Sequence, residues 1–131
     1  MMHLEGFYSY LLYLLSGFAL LSVFVLVYTK VTPIDEIDMI CKGKTAAALS
    51  FGGAFLGFSL TLASSVLHSN TYYLFLVWGA IAMLVQLLTY VIVSRLIPSL
   101  NQELENNNVA MGGLAGTISL TVGILNAACL S

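Results

Sequence analysis

A chain of 131 residues that is 60% hydrophobic and 8% charged, with four Lys and Arg against six Asp and Glu for a formal charge of −2, is not a water-soluble globular domain. Soluble domains carry about a quarter charged residues, and ten charges do not coat a body of this size. The slightly acidic balance excludes the basic footprint of a nucleic-acid-binding protein, two cysteines exclude a disulfide scaffold, and a mean hydropathy of +0.98 excludes disorder.

What remains is an all-α membrane protein, and the charges mark its spans, because a charge near the bilayer centre costs about 2.5–3.5 kcal/mol. Gly6–Thr29, the run from Lys44 to Arg95 and the run after Glu105 are free of Asp, Glu, Lys and Arg. The long middle run divides at Leu67-His68-Ser69-Asn70-Thr71, a polar cluster that favours a turn. Four helices result, over Tyr8–Tyr28, Thr45–Leu67, Thr71–Ser94 and Val109–Leu130. Each is near the roughly 20 residues that cross about 30 Å of hydrocarbon. Runs apolar on every side argue for helices over barrel strands, which alternate. The whole chain, 1–131, reads as one four-helix domain built from two consecutive helical hairpins.

The first span has Phe7, Tyr8, Tyr10 and Tyr13 at one end and Tyr28 at the other, the residues of interfacial aromatic belts. It is expected to be a permanent helix and not a signal peptide. His3 and Glu5 stand where a basic n-region would be, the apolar run exceeds 7–15 residues, and no A-x-A site follows. The connection after it contains Thr32-Pro33-Ile34-Asp35-Glu36, where Thr32 can cap and Pro33 suits the first helical position. A short amphipathic helix is expected there, with Ile34, Ile37, Ile40 and Cys41 on its apolar side in the interface and Lys42 and Lys44 near the headgroups.

Span two carries Gly52 and the pair Gly53-x3-Gly57, followed by Ser59, Thr61, Ser64 and Ser65. Span three opens on Tyr72, Tyr73 and Trp78, further belt residues, and has Gln86 as the deepest strong polar group. The second connection repeats the amphipathic pattern through Pro98, Leu100 and Leu104, with Glu103 and Glu105 exposed. Span four carries Gly112-x3-Gly116, Ser119 and Gly123, then Thr121 and Asn126 toward its end. Spacings of three and four put the glycines on one helix face, and small residues that let backbones approach are what drives helices together in lipid. Spans two and four are therefore expected to be the central pair, within one chain or between copies of a homo-oligomer. Ile40-x3-Lys44-x-Ala46-x5-Gly52 aligns with Leu104-x3-Asn108-x-Ala110-x5-Gly116, which reads either as a parallel internal repeat or as coincidence among small apolar residues.

Lys30, Lys42, Lys44 and Arg95 all flank the two connections. The positive-inside rule makes those connections cytoplasmic and both termini periplasmic. No ionisable side chain lies within the predicted hydrocarbon zone, which argues against an ion-driven carrier. His3 and His68, the two histidines, have no partner set for a metal. Cys41 and Cys129 lie on opposite sides of the membrane. Ser64 or Ser65 beside His68 is the one nucleophile and base pairing within reach, and no acid orients it. Gly52-Gly53 sits inside a span, so it is no phosphate loop. No enzyme activity and no cofactor is expected. Gln86 and Asn126 are read as interhelical hydrogen-bonding groups.

The pattern Pro33, Lys44-Thr-Ala-Ala-Ala-Leu-x2-Gly-Gly-x3-Gly57, Trp78-Gly, Gln86-Leu-Leu, Pro98 and Gly-Ile-Leu-Asn126-Ala-Ala-Cys resembles the YjfL-like family of small bacterial inner-membrane proteins, a DUF350-type domain of unknown function. Lys44 departs from the Asn expected there in relatives. The resemblance implies a bacterial cytoplasmic-membrane protein with no catalytic residues to carry over. It also implies gene neighbourhoods with phage-shock-like membrane-binding proteins and ATP-grasp ligases, hence a partner or stress role. Two readings follow: a non-enzymatic subunit or scaffold whose connections engage a peripheral protein or membrane lipids, and an oligomeric pore or carrier along the polar halves of spans two and four.

Overall fold

The structure, a computed structural model, describes residues 2–31, 36–69 and 71–130, with side chains from Gly6 onward apart from that of Glu36. The expected cap and first turn at Thr32, Pro33, Ile34 and Asp35, the side chains of His3 and Glu5, and Asn70 of the turn lie outside the described residues. Six helices follow in order: α1 (Met2–Val31), α2 (Glu36–Cys41), α3 (Thr45–His68), α4 (Tyr72–Leu96), α5 (Leu100–Glu105) and α6 (Val109–Cys129). Four of them, α1 from Gly6, α3, α4 and α6, are long and apolar enough to cross a membrane. At 1.5 Å per residue the shortest of these, 21 residues, spans about 31 Å.

Local chemistry sets the ends. Thr71 caps α4 by accepting from Leu74 N at 3.2 Å, and Asn108 caps α6 by accepting from Met111 N at 3.3 Å. Lys44 occupies the N-cap of α3 without a side-chain cap of its own. Asn107 supplies one from the other hairpin, its Oδ1 accepting from Ala46 N at 3.0 Å, while Lys44 Nζ donates to Glu105 O at 2.8 Å. Orphan amides at a helix start must find an acceptor, and this one comes from 61 residues away.

Both connections close with the same bonds. Gly43 N donates to Ile40 O at 2.9 Å and Lys44 N to Met39 O at 3.0 Å. Asn107 N donates to Leu104 O at 3.0 Å and Asn108 N to Glu103 O at 2.8 Å. These are Schellman closures with a left-handed residue after the short helix, Gly43 at φ 82° and Asn107 at φ 59°. Glycine and asparagine are the residues that enter this region most easily. Each motif delivers the chain directly into the N-cap of a long helix, Lys44 or Asn108.

Helices α3 and α6 form the most extensive contact and run parallel, since contacts advance together from Ala46 with Gly112 to Ser64 with Ala127. Helix α4 packs antiparallel against both, and α1 lies outermost, touching α3 and α4. Phe24 stacks on Phe58 at 4.6 Å between ring centroids, and Tyr28 meets Phe51 at 5.6 Å and Tyr90 at 5.5 Å, edge on. Tyr28 is thus a core residue and not a belt residue: it is 1% exposed, enclosed by these rings. Phe7, Tyr8, Tyr10, Tyr73 and Trp78 do face outward.

The connections also differ from amphipathic helices lying in the interface. Leu100 and Leu104, one turn apart on α5, are buried against the end of the bundle, as is Met39 of α2. Ile37 and Cys41, expected on the apolar side of α2, are exposed, because Met39 occupies the inward direction. The two short helices cap the end of the bundle that bears Lys30, Lys42, Lys44 and Arg95, the basic end, where Asp38, Glu103 and Glu105 also lie.

Candidate functional site

The glycines divide into two sets when a β-carbon is imagined on each. On Gly53 it would lie 2.1 Å from Gly116 O, on Gly112 2.3 Å from Ala46 O, on Gly116 2.2 Å from Leu49 O, and on Gly123 2.3 Å from Gly57 Cα. No real β-carbon comes this close, so α3 and α6 are in backbone contact along their length, and no solute fits between them. Gly52 belongs to neither contact. A β-carbon there would meet nothing within 4 Å, because one residue's 100° turn of the helix points it away from α6.

Hydroxyls fasten the same seam. Thr61 shares its hydrogen between Gly57 O and Gly123 O, both at 3.0 Å, and Ser64 donates to Ala127 O at 2.6 Å. Ser65 donates to Phe75 O at 3.3 Å, tying in α4. The hydroxyls of Thr61, Ser64 and Ser65 therefore turn into helix contacts rather than line a cavity, while Thr121 is exposed. Ser59 is satisfied on its own helix, donating to Phe55 O at 2.8 Å.

Gln86 enters this seam from α4. Its side chain is 0% exposed, and its Nε2 donates to Ser119 O at 3.2 Å. A β-carbon on Gly57 would stand 2.6 Å from that nitrogen, so Gly57 makes room for the amide as well as for α6. Gln86 Oε1 is buried without a hydrogen-bond partner among the described residues, as are Ser50 Oγ and Asn126 Nδ2. Gln86 is thus only half satisfied. An interhelical bond in a membrane contributes on average about 0.6 kcal/mol and at most about 1.7. An orphaned buried carbonyl takes away about 1–3. Gln86→Met, of similar length, should therefore change unfolding stability by less than about 1 kcal/mol, measured by thermal or denaturant melting in detergent. A loss well beyond that would show that Oε1 is bonded to something outside the chain.

Ser64 and His68 approach at 3.4 Å between Oγ and Nδ1, but His68 Nδ1 also lies 3.0 Å from Ser64 O. A nitrogen that donates to that carbonyl cannot take a proton from the hydroxyl, and the hydroxyl hydrogen is directed to Ala127 O. Among the described residues no group of three His, Cys, Asp or Glu is placed to hold a metal. At the basic end Lys42 pairs with Asp38 at 2.9 Å, Asn108 Nδ2 donates to Glu103 at 2.7 Å, and Tyr90 donates its hydroxyl to Asn101. Lys30 and Arg95 are exposed there. Asn107, an exposed residue that caps α3, and Ser50, a buried one whose hydroxyl is orphaned, are polar residues that the sequence did not single out. The Asn106-Asn107-Asn108 run was the one available signal, since asparagine tolerates a left-handed turn.

Over residues 1–130 the chain matches the family model described as Domain of Unknown Function (DUF350). The chain belongs to the DUF350 family. It is similar to the UPF0719 inner membrane protein YjfL of Escherichia coli K12, at 35% identity over 128 residues, 98% of this chain and 97% of the relative. It is also similar to the UPF0719 transmembrane protein YshE of Bacillus subtilis, at 31% identity over 110 residues and 82% of each chain. No solved structure matches it. The four-helix arrangement described above is accordingly that of a DUF350 membrane protein.

Proposed function

We propose that this DUF350 chain is a non-enzymatic subunit of the bacterial inner membrane that assembles with copies of itself. In this reading both termini are periplasmic and the capped basic end is cytoplasmic, where it engages a peripheral envelope partner or lipid headgroups. The observation that carries the assembly is the second glycine set. Gly52 has no neighbour within 4 Å of a β-carbon, and Gly113 has only Leu49 Cδ1 at 4.0 Å. Together with Ala48, Leu56, Thr117 and Leu120 they line a cleft of about 290 Å³ on the side of α3 and α6 turned away from the bundle. A helical glycine costs about 1 kcal/mol relative to alanine, and nothing inside the chain requires these two. A helix of a second copy would use the space they leave.

Orientation is supported by the four basic residues gathered at one end. The cap is supported as a contact surface by what it leaves outward, namely Asp38, Lys42, Gln102 and Glu105 with Ile37 and Cys41, while Met39, Leu100 and Leu104 are taken up by the bundle. A solute path along the α3–α6 seam has less support, since the backbones touch and the hydroxyls are bonded across it.

The test is the mass of the protein in mild detergent by native mass spectrometry, for the natural chain and for the Gly52→Leu/Gly113→Leu double variant. The natural chain should be multimeric and the variant monomeric but still cooperatively folded, its melting temperature lowered only by the loss of assembly, because both leucines project into space left open within the chain. A monomeric natural chain, or an equally multimeric variant, would overturn the reading.

A further inference from the structure

Helix α1 leans on different neighbours at its two ends. Toward the basic end it packs through Phe24 and Tyr28 onto Phe58 and Phe51 of α3 and Tyr90 of α4. Toward the other end it packs on α4: Ser16 is hydrogen-bonded to the Tyr72 hydroxyl, Tyr13 meets Tyr72 and Phe75 at 5.7 and 5.2 Å, and Leu20 approaches Gly79. Between α1 and α3 in that half a groove remains, of about 480 Å³. Tyr10, Gly17 and Phe18 line it from α1, and Leu62, Ala63 and Val66 from α3.

Its dimensions select its occupant. The lining on α1 runs from Gly6 to Leu21, which at 1.5 Å per residue is about 22 Å. All the space outside atoms there, about 990 Å³, divided by that length gives a section of at most about 45 Å², below the roughly 80–110 Å² that a helix occupies. A helix is about 10–12 Å across and does not fit, whereas a single polymethylene chain does. The walls offer little to a polar solute: Ser59 is spent on Phe55 O, and the rest of the lining is mainly aliphatic and aromatic. Small residues keep the groove open, since a β-carbon on Gly17 would meet nothing within 4 Å. The groove lies within the length of two helices long and apolar enough to cross a membrane and reaches the end of the bundle at Gly6, Ser9 and Tyr10, where the exposed Tyr10 is of the residue type enriched at headgroup level. An unfilled groove there would forfeit the dispersion contacts of its whole lining.

We propose that the groove between α1 and α3, in the half of the bundle away from the basic end, is a binding site for one acyl chain of a membrane phospholipid, whose headgroup emerges beside Ser9 and Tyr10. The site is separate from the cleft at Gly52 and Gly113 and from the cytoplasmic cap, and it does not depend on assembly.

The experiment is photolabelling in vesicles of phosphatidylethanolamine and phosphatidylglycerol that include a phosphatidylglycerol with a diazirine on one acyl chain, with adducts mapped by peptide mass spectrometry. Leu84 and Leu88, which face lipid on α4, report ordinary contact with the bilayer. Adducts in the natural chain should be enriched at Phe18, Leu62 and Ala63 by about tenfold over Leu84 and Leu88, which corresponds to about 1.4 kcal/mol of preference. In Gly17→Leu/Ala63→Leu, which fills the groove, the enrichment should vanish while labelling of Leu84 and Leu88 stays the same. Ala63→Leu alone is read if the double variant does not elute as a folded species. Equal labelling of groove and α4 in the natural chain, or enrichment that survives filling, would overturn the site. So would chain-to-chain adducts through the groove, which would assign it to a second copy.

Discussion

Gly116→Leu should abolish the native bundle, with the largest loss of stability of any single change considered. Its β-carbon alone would stand 2.2 Å from Leu49 O, and backbone cannot swing aside as a side-chain tip can. Overpacking a core costs about 1–3 kcal/mol where neighbours can adjust. Here α3 and α6 must separate, which also breaks Thr61 with Gly123 and Ser64 with Ala127. The sum should exceed about 4 kcal/mol, in the exceptional range for one substitution. Melting in detergent followed by the fluorescence of the single tryptophan, Trp78, measures it. Gly52→Leu is the control and should shift the transition by no more than the loss of assembly, since open space lies beside it within the chain. Equal behaviour of the two variants would refute the seam.

Leu104→Ala should be the next most damaging, at about 2–5 kcal/mol, the usual range for a large aliphatic residue truncated in a core. Leu104 is 0% exposed and anchors α5 at the basic end, where the alternative to burial is water. Leu62, 5% exposed, lies inside a span, where lipid takes the place of water and the transfer term largely disappears. Leu62→Ala should therefore cost less, about 1–2 kcal/mol from lost packing alone. The second readout is trypsin, which should cut after Arg95 and Lys44 faster in Leu104→Ala once the cap loosens and at an unchanged rate in Leu62→Ala. The reverse order of stabilities would show that the cap is ornamental to the fold.

The four spans were legible because a charge is so costly in hydrocarbon that ten of them punctuate the chain. The pairing of α3 with α6 was legible because glycines at spacings of three and four leave a face on which little else can pack. What was hidden is phase and distance. Composition treats Gly52 and Gly53 alike, yet one rotation of 100° puts Gly53 against Gly116 and leaves Gly52 open. Tyr28 reads as an interfacial ring because it stands near a span end, and only the arrival of Phe51 and Tyr90 from other helices encloses it. Asn107 carries no local sign that its amide serves a helix start 61 residues earlier. Leu100 and Leu104 have the right spacing for an apolar side, but spacing does not say whether that side meets a membrane surface or the end of a bundle.

The Ala46 amide and the glycine face of α3 have a consequence for biogenesis. Their partners, on α6 or in the turn before it, are translated some sixty residues later, as with Asn107 and Ala46, or Ser64 and Ala127. At about 5–20 residues per second, that is a wait of roughly 3–12 s. During it the first hairpin already stands in the bilayer with its groove unfilled, so the protein completes its architecture by lateral meeting of inserted helices and not during insertion itself. The nascent hairpin must be shielded through that interval by lipid or by the insertion machinery.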